Sequence, residues 1–304
     1  MKLKNILAKL RDIFLTRYDP IELFRLRQMK KNGELVDISS LVAVFKDSTS
    51  FAFATGGSLS NLQGLGRANN HNLLMLTTGP IHSFRLFGLL PNIWLIHNPD
   101  SVRMTIRALD KYGLRGKIDF SETYILIPSN KSNSKVRFSS KRVRKLRSVI
   151  GNAKYVQYTE QIYADNESPE DYLGGNSLPE KYLETGVSPI RLINGSSVEV
   201  VILPFLAYLG IKEIYFSGVD HMDTGHFWDR NDPWQNVDGS PKTFSDSNVV
   251  KAAGEVALQV TGERGINVFR LEKRETNLTH YPYLDFEQAL SRATKRVLPN
   301  GIDS

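Results

Sequence analysis

Short apolar runs alternate with segments of helical periodicity from residue 41 onward, and this alternation restricts the fold more than any other feature of the chain. The apolar runs predict strands at residues 42–45 or 51–54, 73–76, 92–96, 124–127, 213–216 and 266–271. The intervening segments predict helices at residues 81–89, 101–112, 141–150, 197–209 and 248–264. Strands that alternate with helices form a mainly parallel sheet with helices on both faces. The sequence therefore predicts an α/β fold.

The composition excludes several classes of protein. With 304 residues and 41% hydrophobic content, the chain can bury a sizeable core. It contains no cysteine, which excludes disulfides, thiolate metal sites and thiol nucleophiles. No run of about 18 apolar residues predicts a membrane span, and Lys2, Lys4 and Lys9 interrupt any secretion signal. We expect a cytoplasmic protein.

Basic residues are concentrated in two clusters that are candidate contacts for an acidic surface. Residues 1–31 carry nine Lys or Arg against three acids, and residues 131–147 carry eight with no acid. The first cluster has an apolar helical face opposite a basic one. This helix could lie on the anionic inner face of the membrane. Alternatively, it could pack on the domain with its basic side in solvent, and both interpretations stay open. Neither cluster interleaves aromatics in a recognised nucleic-acid motif, so we expect no nucleic-acid partner.

Two stretches, residues 166–189 and 220–246, are rich in turn residues and long for connectors. Loops of this length are usually lids, binding loops or disordered segments. Because they flank the helix predicted at 197–209, we expect lids.

A glycine turn directly follows the apolar run at 51–54. Glycines after a first strand let the backbone approach a bound group, and the amides beyond them can hold an anion or a ribose. The turn has neither the lysine of a P-loop nor the full spacing of a dinucleotide fingerprint, so both are excluded. An ordinary structural turn is the alternative. The candidate binding residues are Thr55, Gly56, Gly57 and Ser58.

Asn98 follows the strand predicted at 92–96, which places it at the same sheet edge if the strands are parallel. An Asn side chain supplies both a donor and an acceptor and can bind a base or a ribose hydroxyl. Asn-Pro is also an ordinary turn starter, so a structural role is the alternative.

Residues 191–229 hold two further polar groups around the helix predicted at 197–209. A Ser-rich turn at a helix N-terminus offers unpaired amides to phosphate. A carboxylate at a strand end with two nearby imidazoles suits general acid and base work, and a hydrated loop is the alternative. The first group comprises Arg191, Asn194, Gly195, Ser196 and Ser197. The second comprises Gly218, Asp220, His221, Asp223, His226, Trp228 and Asp229.

Metal binding is not expected, although four aspartates lie close together in sequence, at positions 220, 223, 229 and 232. Hard cations take carboxylates at phosphate sites. The spacing is not the Asp-x-Asp of metal-dependent sugar transferases, so a solvated acidic loop is favoured. No cofactor is expected either.

These motifs resemble those of the bacterial sialyltransferases of glycosyltransferase family 42, and more loosely those of motility-accessory-factor and pterin-pyrophosphokinase-like proteins. Segment 209–220, LGIKEIYFSGVD, is similar to that family's LGYKEIYLSGID. Thr55 to Leu59 resembles its Asn-Gly-Pro-Ser-Leu turn, Asn98-Pro99 its Asn-Pro, and Arg191 to Ser197 its Arg-Ile-Thr-Ser-Gly. The motifs follow in the family's order over residues 47–275.

The resemblance implies a single Rossmann-like domain that binds a CMP-activated sugar and transfers it without metal. Thr55, Gly56, Gly57 and Asn98 would line the cytidine and ribose site. Ser196 and Ser197 would lie near the donor phosphate, and Asp220 would shape the same pocket. The loop after Asp220 would be the lid.

The lid departs from the family pattern at two places. The family stabilises the departing phosphate with two lid tyrosines, where Met222 and His226 stand in this chain. The family's His base also has no counterpart between Asp229 and Asn248. An active enzyme would therefore use His226 or His221 for the missing imidazole, or Asp220 or Asp223 as the base.

The leading hypothesis is a metal-independent glycosyltransferase that moves a sugar, such as sialic acid or a related acidic sugar, from a CMP-type donor to a glycan or glycolipid. The alternatives are a magnesium-dependent pterin-diphosphokinase-like enzyme and an inactive nucleotide- or glycan-binding protein. We expect a basic helical extension over residues 1–40, the Rossmann-like domain over 41–275 and a C-terminal tail or helix over 276–304. A homo-oligomer is one assembly that the sequence leaves open.

Overall fold

The computed structural model describes residues 27–76, 79–96, 99–128, 140–162, 191–194, 198–219, 227, 262, 265–273 and 281–296. The strands are β1 (Thr49–Phe53), β2 (Leu73–Leu76), β3 (Ile93–Leu95), β4 (Tyr124–Pro128), β5 (Lys154–Ile162), β6 (Arg191–Asn194), β7 (Glu213–Ser217) and β8 (Asn267–Arg270). The α-helices are α1 (Ile38–Phe45), α2 (Gly79–Phe87), α3 (Pro99–Lys111), α4 (Ser140–Ile150), α5 (Val198–Tyr208) and α6 (Phe286–Arg292). Two 3-10 helices, Gly57–Asn61 and Leu65–Asn70, connect β1 to β2.

The eight strands form one sheet in the order β6-β5-β4-β3-β2-β1-β7-β8. Each of the seven pairings between neighbouring strands is parallel. From β1 the chain first builds outward through β2 to β6, and it then returns to add β7 on the other side of β1. The predicted α/β fold with a mainly parallel sheet is confirmed, and the architecture is a Rossmann-like domain.

The two sheet faces are covered by different helices because strand side chains alternate between faces. On one face Ala52, Leu74 and Leu95 pack with the buried residues of α1 and α5. On the other face Trp94 and Ile125 pack with α2, α3 and α4. Next to them, the buried strand residues of β1, β2 and β7 pack with the 3-10 helices and α6. Helices thus cover both faces, as predicted.

The strand predicted at 42–45 is wrong, because these residues form the second half of α1. Ile38, Leu41 and Phe45 are the buried residues of that helix, and their spacing of three and four residues gives it one apolar face. The alternative strand prediction, 51–54, matches β1 (Thr49–Phe53).

Strands β5 and β6 were not predicted, because polar residues interrupt their apolar runs. Tyr155 and Val156 are buried in the cores on opposite sides of the sheet, but Gln157, Thr159 and Glu160 follow within the same strand. Only residues up to Tyr158 pair with β4, and residues 159–162 pair with β6 instead. The β5–β6 ribbon therefore stands beyond the carboxyl end of β4.

The C-terminal segment, residues 281–296, packs at the amino-terminal ends of the central strands. Thr294 and Thr49 exchange two hydrogen bonds, from Thr49 N at 3.0 Å and from Thr294 N at 2.7 Å, each accepted by the other residue's Oγ1. The backbone N–H of Arg296 donates to Asn70 O at 2.7 Å. This segment is thus fastened to residues near the amino ends of β1 and β2.

Several predictions lie outside the described residues. These are the helix at 248–264, most of the N-terminal extension, and both lids apart from Phe227. Residues 27–31 of the extension are helical. Within the described ranges no helix is long and apolar enough to cross a membrane.

Candidate functional site

The sheet has its topological switch point between β1 and β7. The crossovers from β1 to β5 run on one face, while α5 covers the other face and leads the chain to β7. In open α/β sheets, ligands bind beyond the carboxyl ends of the strands where the winding direction changes. The glycine turn after β1 and the Ser217-Gly218 end of β7 both lie at this point. The structure thus brings two of the predicted motifs together.

The glycine turn is tied directly to the end of β7. Gly56 N donates to Gly218 O at 2.7 Å, one step beyond the bond from Ala54 N to Ser217 O at 2.9 Å. The backbone of Gly56 is extended, and a 3-10 helix begins at Gly57. Backbone pairing therefore extends past the last strand residue, although two residues of the turn are matched by one residue after β7, and it holds the turn against that strand.

Gly218 is fixed by both its conformation and its neighbours. Its φ is +77°, a region that favours glycine. A Cβ atom at this position would lie 2.8 Å from Ala54 O and 3.4 Å from Leu59 Cβ. The two strands can approach this closely only because residue 218 has no side chain.

Glu272 links the glycine turn to the end of β7 and was not predicted as a site residue. Its Oε1 accepts hydrogen bonds from Ser217 Oγ at 2.6 Å, from Gly218 N at 2.6 Å and from Ser58 Oγ at 3.2 Å. The residue is only 6% exposed, and its Oε2 has no hydrogen-bond partner among the described residues. One carboxylate thus connects the glycine turn, the end of β7 and the end of β8.

Burial raises the pKa of the Glu272 carboxyl above its ordinary value, against the opposing effect of the hydrogen bonds from Ser217, Gly218 and Ser58. The sequence carries one signal for this residue. It directly follows the predicted strand 266–271, so the rule that ligands bind beyond strand ends would have selected it.

Phe227 brings the segment after β7 back over the glycine turn. Its backbone N–H donates to Thr55 O at 3.0 Å. Its side chain is 4% exposed, and its ring centroid lies 5.9 Å from that of Phe87 in α2. This one described position of the predicted lid therefore contacts the turn.

Arg191 and Asn194 are the first and last residues of β6 at the sheet edge. Five strand spacings separate β6 from β1, a lateral distance of about 24 Å. The register places β6 on the carboxyl side of the sheet, because it pairs with the part of β5 beyond β4. The described structure thus brings Thr55, Gly56, Gly57, Ser58 and Gly218 together, and leaves these two residues on a separate ribbon.

The remaining predicted site residues lie outside the described residues, and their roles stay predictions: Asn98, Ser196, Ser197, Asp220, His221 and His226. Within the described part of the chain, no group of three His, Cys, Asp or Glu residues could hold a metal ion.

The fold is a Rossmann-like domain, and its switch point is the position where open α/β sheets bind ligands. No family model matches the chain, and no curated relative matches it. Solved structures similar to it include the monofunctional α-2,3-sialyltransferase Cst-I from Campylobacter jejuni, at 14% identity and a TM-score of 0.45, covering 85% of this chain and 87% of that one.

Two structures of a second sialyltransferase are also similar to the chain. CstII from Campylobacter jejuni in complex with the substrate analogue CMP-3FNeuAc has 15% identity and a TM-score of 0.43, covering 84% of this chain and 93% of that one. The sialyltransferase CST-II with a trisaccharide acceptor and CMP has 16% identity and a TM-score of 0.41, with the same coverages of 84% and 93%.

Proposed function

We propose that the chain is a glycosyltransferase that binds a CMP-type nucleotide sugar at the switch point and transfers the sugar to a glycan or glycolipid. The observation that carries the proposal is the closure of Thr55–Ser58 on Gly218 at this point. The turn and segment 209–220, to which Gly218 belongs, are two of the motifs that resemble family 42. Two motifs that are distant in sequence therefore form one site.

The donor would lie across the turn, where a side chain would obstruct it least. Gly56 and Gly57 leave the backbone open to close approach by a base or ribose. Thr55 and Ser58 add hydroxyls at the two ends of the turn. Ser58 is oriented by its bond to Glu272, which keeps the hydroxyl in place before a ligand arrives.

The chemistry would be direct displacement at the anomeric carbon. A base takes the proton of the acceptor hydroxyl, the hydroxyl oxygen forms the new bond to the sugar, and the bond to the CMP phosphate breaks. The departing phosphate needs a positive or hydrogen-bonding partner. We assign His226 to the base or phosphate role, with His221 and Asp220 as the other candidates. Phe227, the chain neighbour of His226, is held at Thr55, which supports a position for His226 near the turn.

The remaining parts of the proposal follow from the sequence. Asn98, Arg191, Asn194, Ser196 and Ser197 would complete the donor and phosphate contacts. No metal would be required. The basic residues 1–31 would hold the protein on the inner membrane face near a glycolipid acceptor.

Calorimetry with CMP, UMP and AMP tests donor binding. We expect CMP to bind, and Gly218→Ala to remove binding because its methyl group would push β7 away from β1. Gly113→Ala is the matched control, since Gly113 also has a positive φ of +62° but open space around it. Wild-type protein that binds none of the three nucleotides would sink the proposal.

Turnover separates catalysis from binding. With a CMP-sugar and an acceptor mixture, we expect His226→Ala to retain CMP affinity and to lose at least about 100-fold in kcat. Unchanged turnover in this variant would remove the assignment of His226.

Two other functions would give different results. CMP binding with no consumption of any CMP-sugar would indicate an inactive binding protein, an outcome suggested by Met222 at a place where family 42 has tyrosine. ATP binding that depends on Mg²⁺ would indicate a diphosphokinase-like enzyme, an outcome suggested by the four aspartates between residues 220 and 232.

A further inference from the structure

The outer surface of the α2–α3–α4 layer combines positive charge with exposed apolar side chains. These three helices lie side by side on one face of the sheet. Their exposed cations are Arg85, Arg103, Arg107, Lys111, Arg144 and Lys145. We call this surface the basic helical face.

The one described negative charge on this face is paired. Asp110 is the one carboxylate among the described side chains of the three helices, and Arg115 donates to its Oδ2 at 2.7 Å. Arg147 of α4 pairs with Glu34. The outward charge of the layer is therefore strongly positive, which favours an anionic partner.

The exposed apolar side chains of the described structure are both on this face. Leu86 in α2 is 49% exposed and Met104 in α3 is 38% exposed, and no other large apolar side chain in the described ranges is exposed to this degree. Both helices start at the carboxyl edge and run parallel. At a rise of 1.5 Å per residue, Leu86 lies about 10 Å from the start of α2 and Met104 about 8 Å from the start of α3. The two side chains therefore lie at similar distances from the carboxyl edge of the sheet.

We propose that the basic helical face docks on an anionic lipid bilayer. Cations interspersed with exposed Leu and Met suit an interface where headgroup phosphates lie above acyl chains. Single-stranded nucleic acids instead favour exposed aromatic side chains, and the described residues of this face expose none. The cations of this face are different residues from those of the basic cluster at 1–31.

This docking would place the candidate site at the membrane surface. Helices α2, α3 and α4 follow β2, β3 and β4, so their first turns lie at the carboxyl edge of the sheet. Arg103 and Arg144, which lie within five residues of their helix starts, are the cations of the face nearest that edge.

Vesicle co-sedimentation of the full-length chain tests the proposal. We expect binding to vesicles of phosphatidylcholine with phosphatidylglycerol and little binding to phosphatidylcholine alone. Arg103→Glu combined with Arg107→Glu should reduce the partition coefficient at least about tenfold. Lys46→Glu combined with Lys295→Glu is the matched control, since both are exposed residues outside the face and the net charge changes equally.

Apolar contact is tested separately in high salt, where charge attraction is screened. Leu86→Ser combined with Met104→Ser should remove the residual binding that wild-type protein keeps there. Circular dichroism and thermal melting check that each variant is folded.

Three outcomes would overturn the proposal. Equal losses in the two charge-reversal pairs would mean that only net charge matters. Unchanged binding of the Arg103 and Arg107 variant would leave residues 1–31 as the membrane contact. If the Arg103 and Arg107 variant lost binding to duplex DNA or RNA while its vesicle binding stayed unchanged, the face would be assigned to nucleic acid.

Discussion

The carbonyl oxygen of Ala54 lies where a side chain on Gly218 would begin, 2.8 Å from a Cβ atom built on that glycine. This contact joins the ends of β1 and β7, the two strands at the switch point. It also explains why a glycine with a φ of +77° stands there, since both the space and the backbone conformation exclude a larger residue.

Gly218→Ala should destabilise the protein by at least about 2 kcal/mol, because the methyl group adds a clash to the strain of a left-handed conformation. Urea unfolding measures the loss. Gly113→Ala carries the strain without the clash, so its cost should stay near 1 kcal/mol. Equal losses in the two variants would mean that the strands move apart freely.

Glu272→Gln should change how stability depends on pH. Because burial raises the pKa of Glu272 from the ordinary 4.5, the folded protein binds this proton more tightly than the unfolded chain. The wild-type protein therefore loses stability as pH rises from the ordinary pKa through the raised one, and levels off above it. Gln does not titrate, so the stability of the variant relative to wild type should rise across this window. Unfolding between pH 4 and 8 measures it.

Two further variants control this experiment. Glu287→Gln changes an exposed carboxylate that pairs with Arg67 and should leave the Glu272 slope in place. Glu272→Ala removes the acceptor of three hydrogen bonds and should cost more than Glu272→Gln at every pH, since buried donors lose their partner. A Glu272→Gln curve parallel to that of wild type would contradict the expectation.

Phe227→Ala should destabilise the segment that returns over the glycine turn. The substitution removes a buried ring that packs on Phe87 but keeps the backbone bond to Thr55, and the cost should be about 3 kcal/mol. Nucleotide affinity should fall with it. Phe227→Leu should restore most of both quantities, and affinity unaffected by either change would separate this residue from the site.

Arg296→Met should weaken the attachment of the C-terminal segment. Arg296 is 8% exposed, and its Nη1 donates to Leu90 O at 3.2 Å. Met retains much of the stem volume but leaves this carbonyl unpaired, at a cost of about 1–3 kcal/mol. The exposed Lys295→Met should change the free energy of unfolding by less than about 0.5 kcal/mol. Similar effects of the two changes would argue against the anchoring role.

The central strands were predictable because both of their faces are buried, which leaves continuous apolar runs such as Leu73–Leu76. The polar residues of β5 and the short β6 gave no such run, so the sheet edge was missed. The apolar residues in 42–45 belong to a helix. In so short a window the spacing of apolar residues does not distinguish a helix from a strand.

The site was predictable where it is made of backbone. Gly56 and Gly57 were selected because glycines after a strand let the backbone approach a bound group, and Gly218 was selected as part of the group at the end of a predicted strand. The structure brings the turn and Gly218 together. Glu272 is a single carboxylate without a motif, and only folding brings its three donors to it. Ser217 and Gly218 lie 55 and 54 residues away in sequence, and Ser58 lies 214 residues away. No local pattern records such a contact.

The position of β1 between β2 and β7 also sets an order of events during synthesis. While the ribosome is making residues 77–212, β1 can pair with β2 but its other edge has no partner strand. Thr49–Phe53 is then an open, largely apolar edge, the kind of template on which chains aggregate. Glu272 emerges later still, so the candidate site at the switch point is among the last parts of the protein to form.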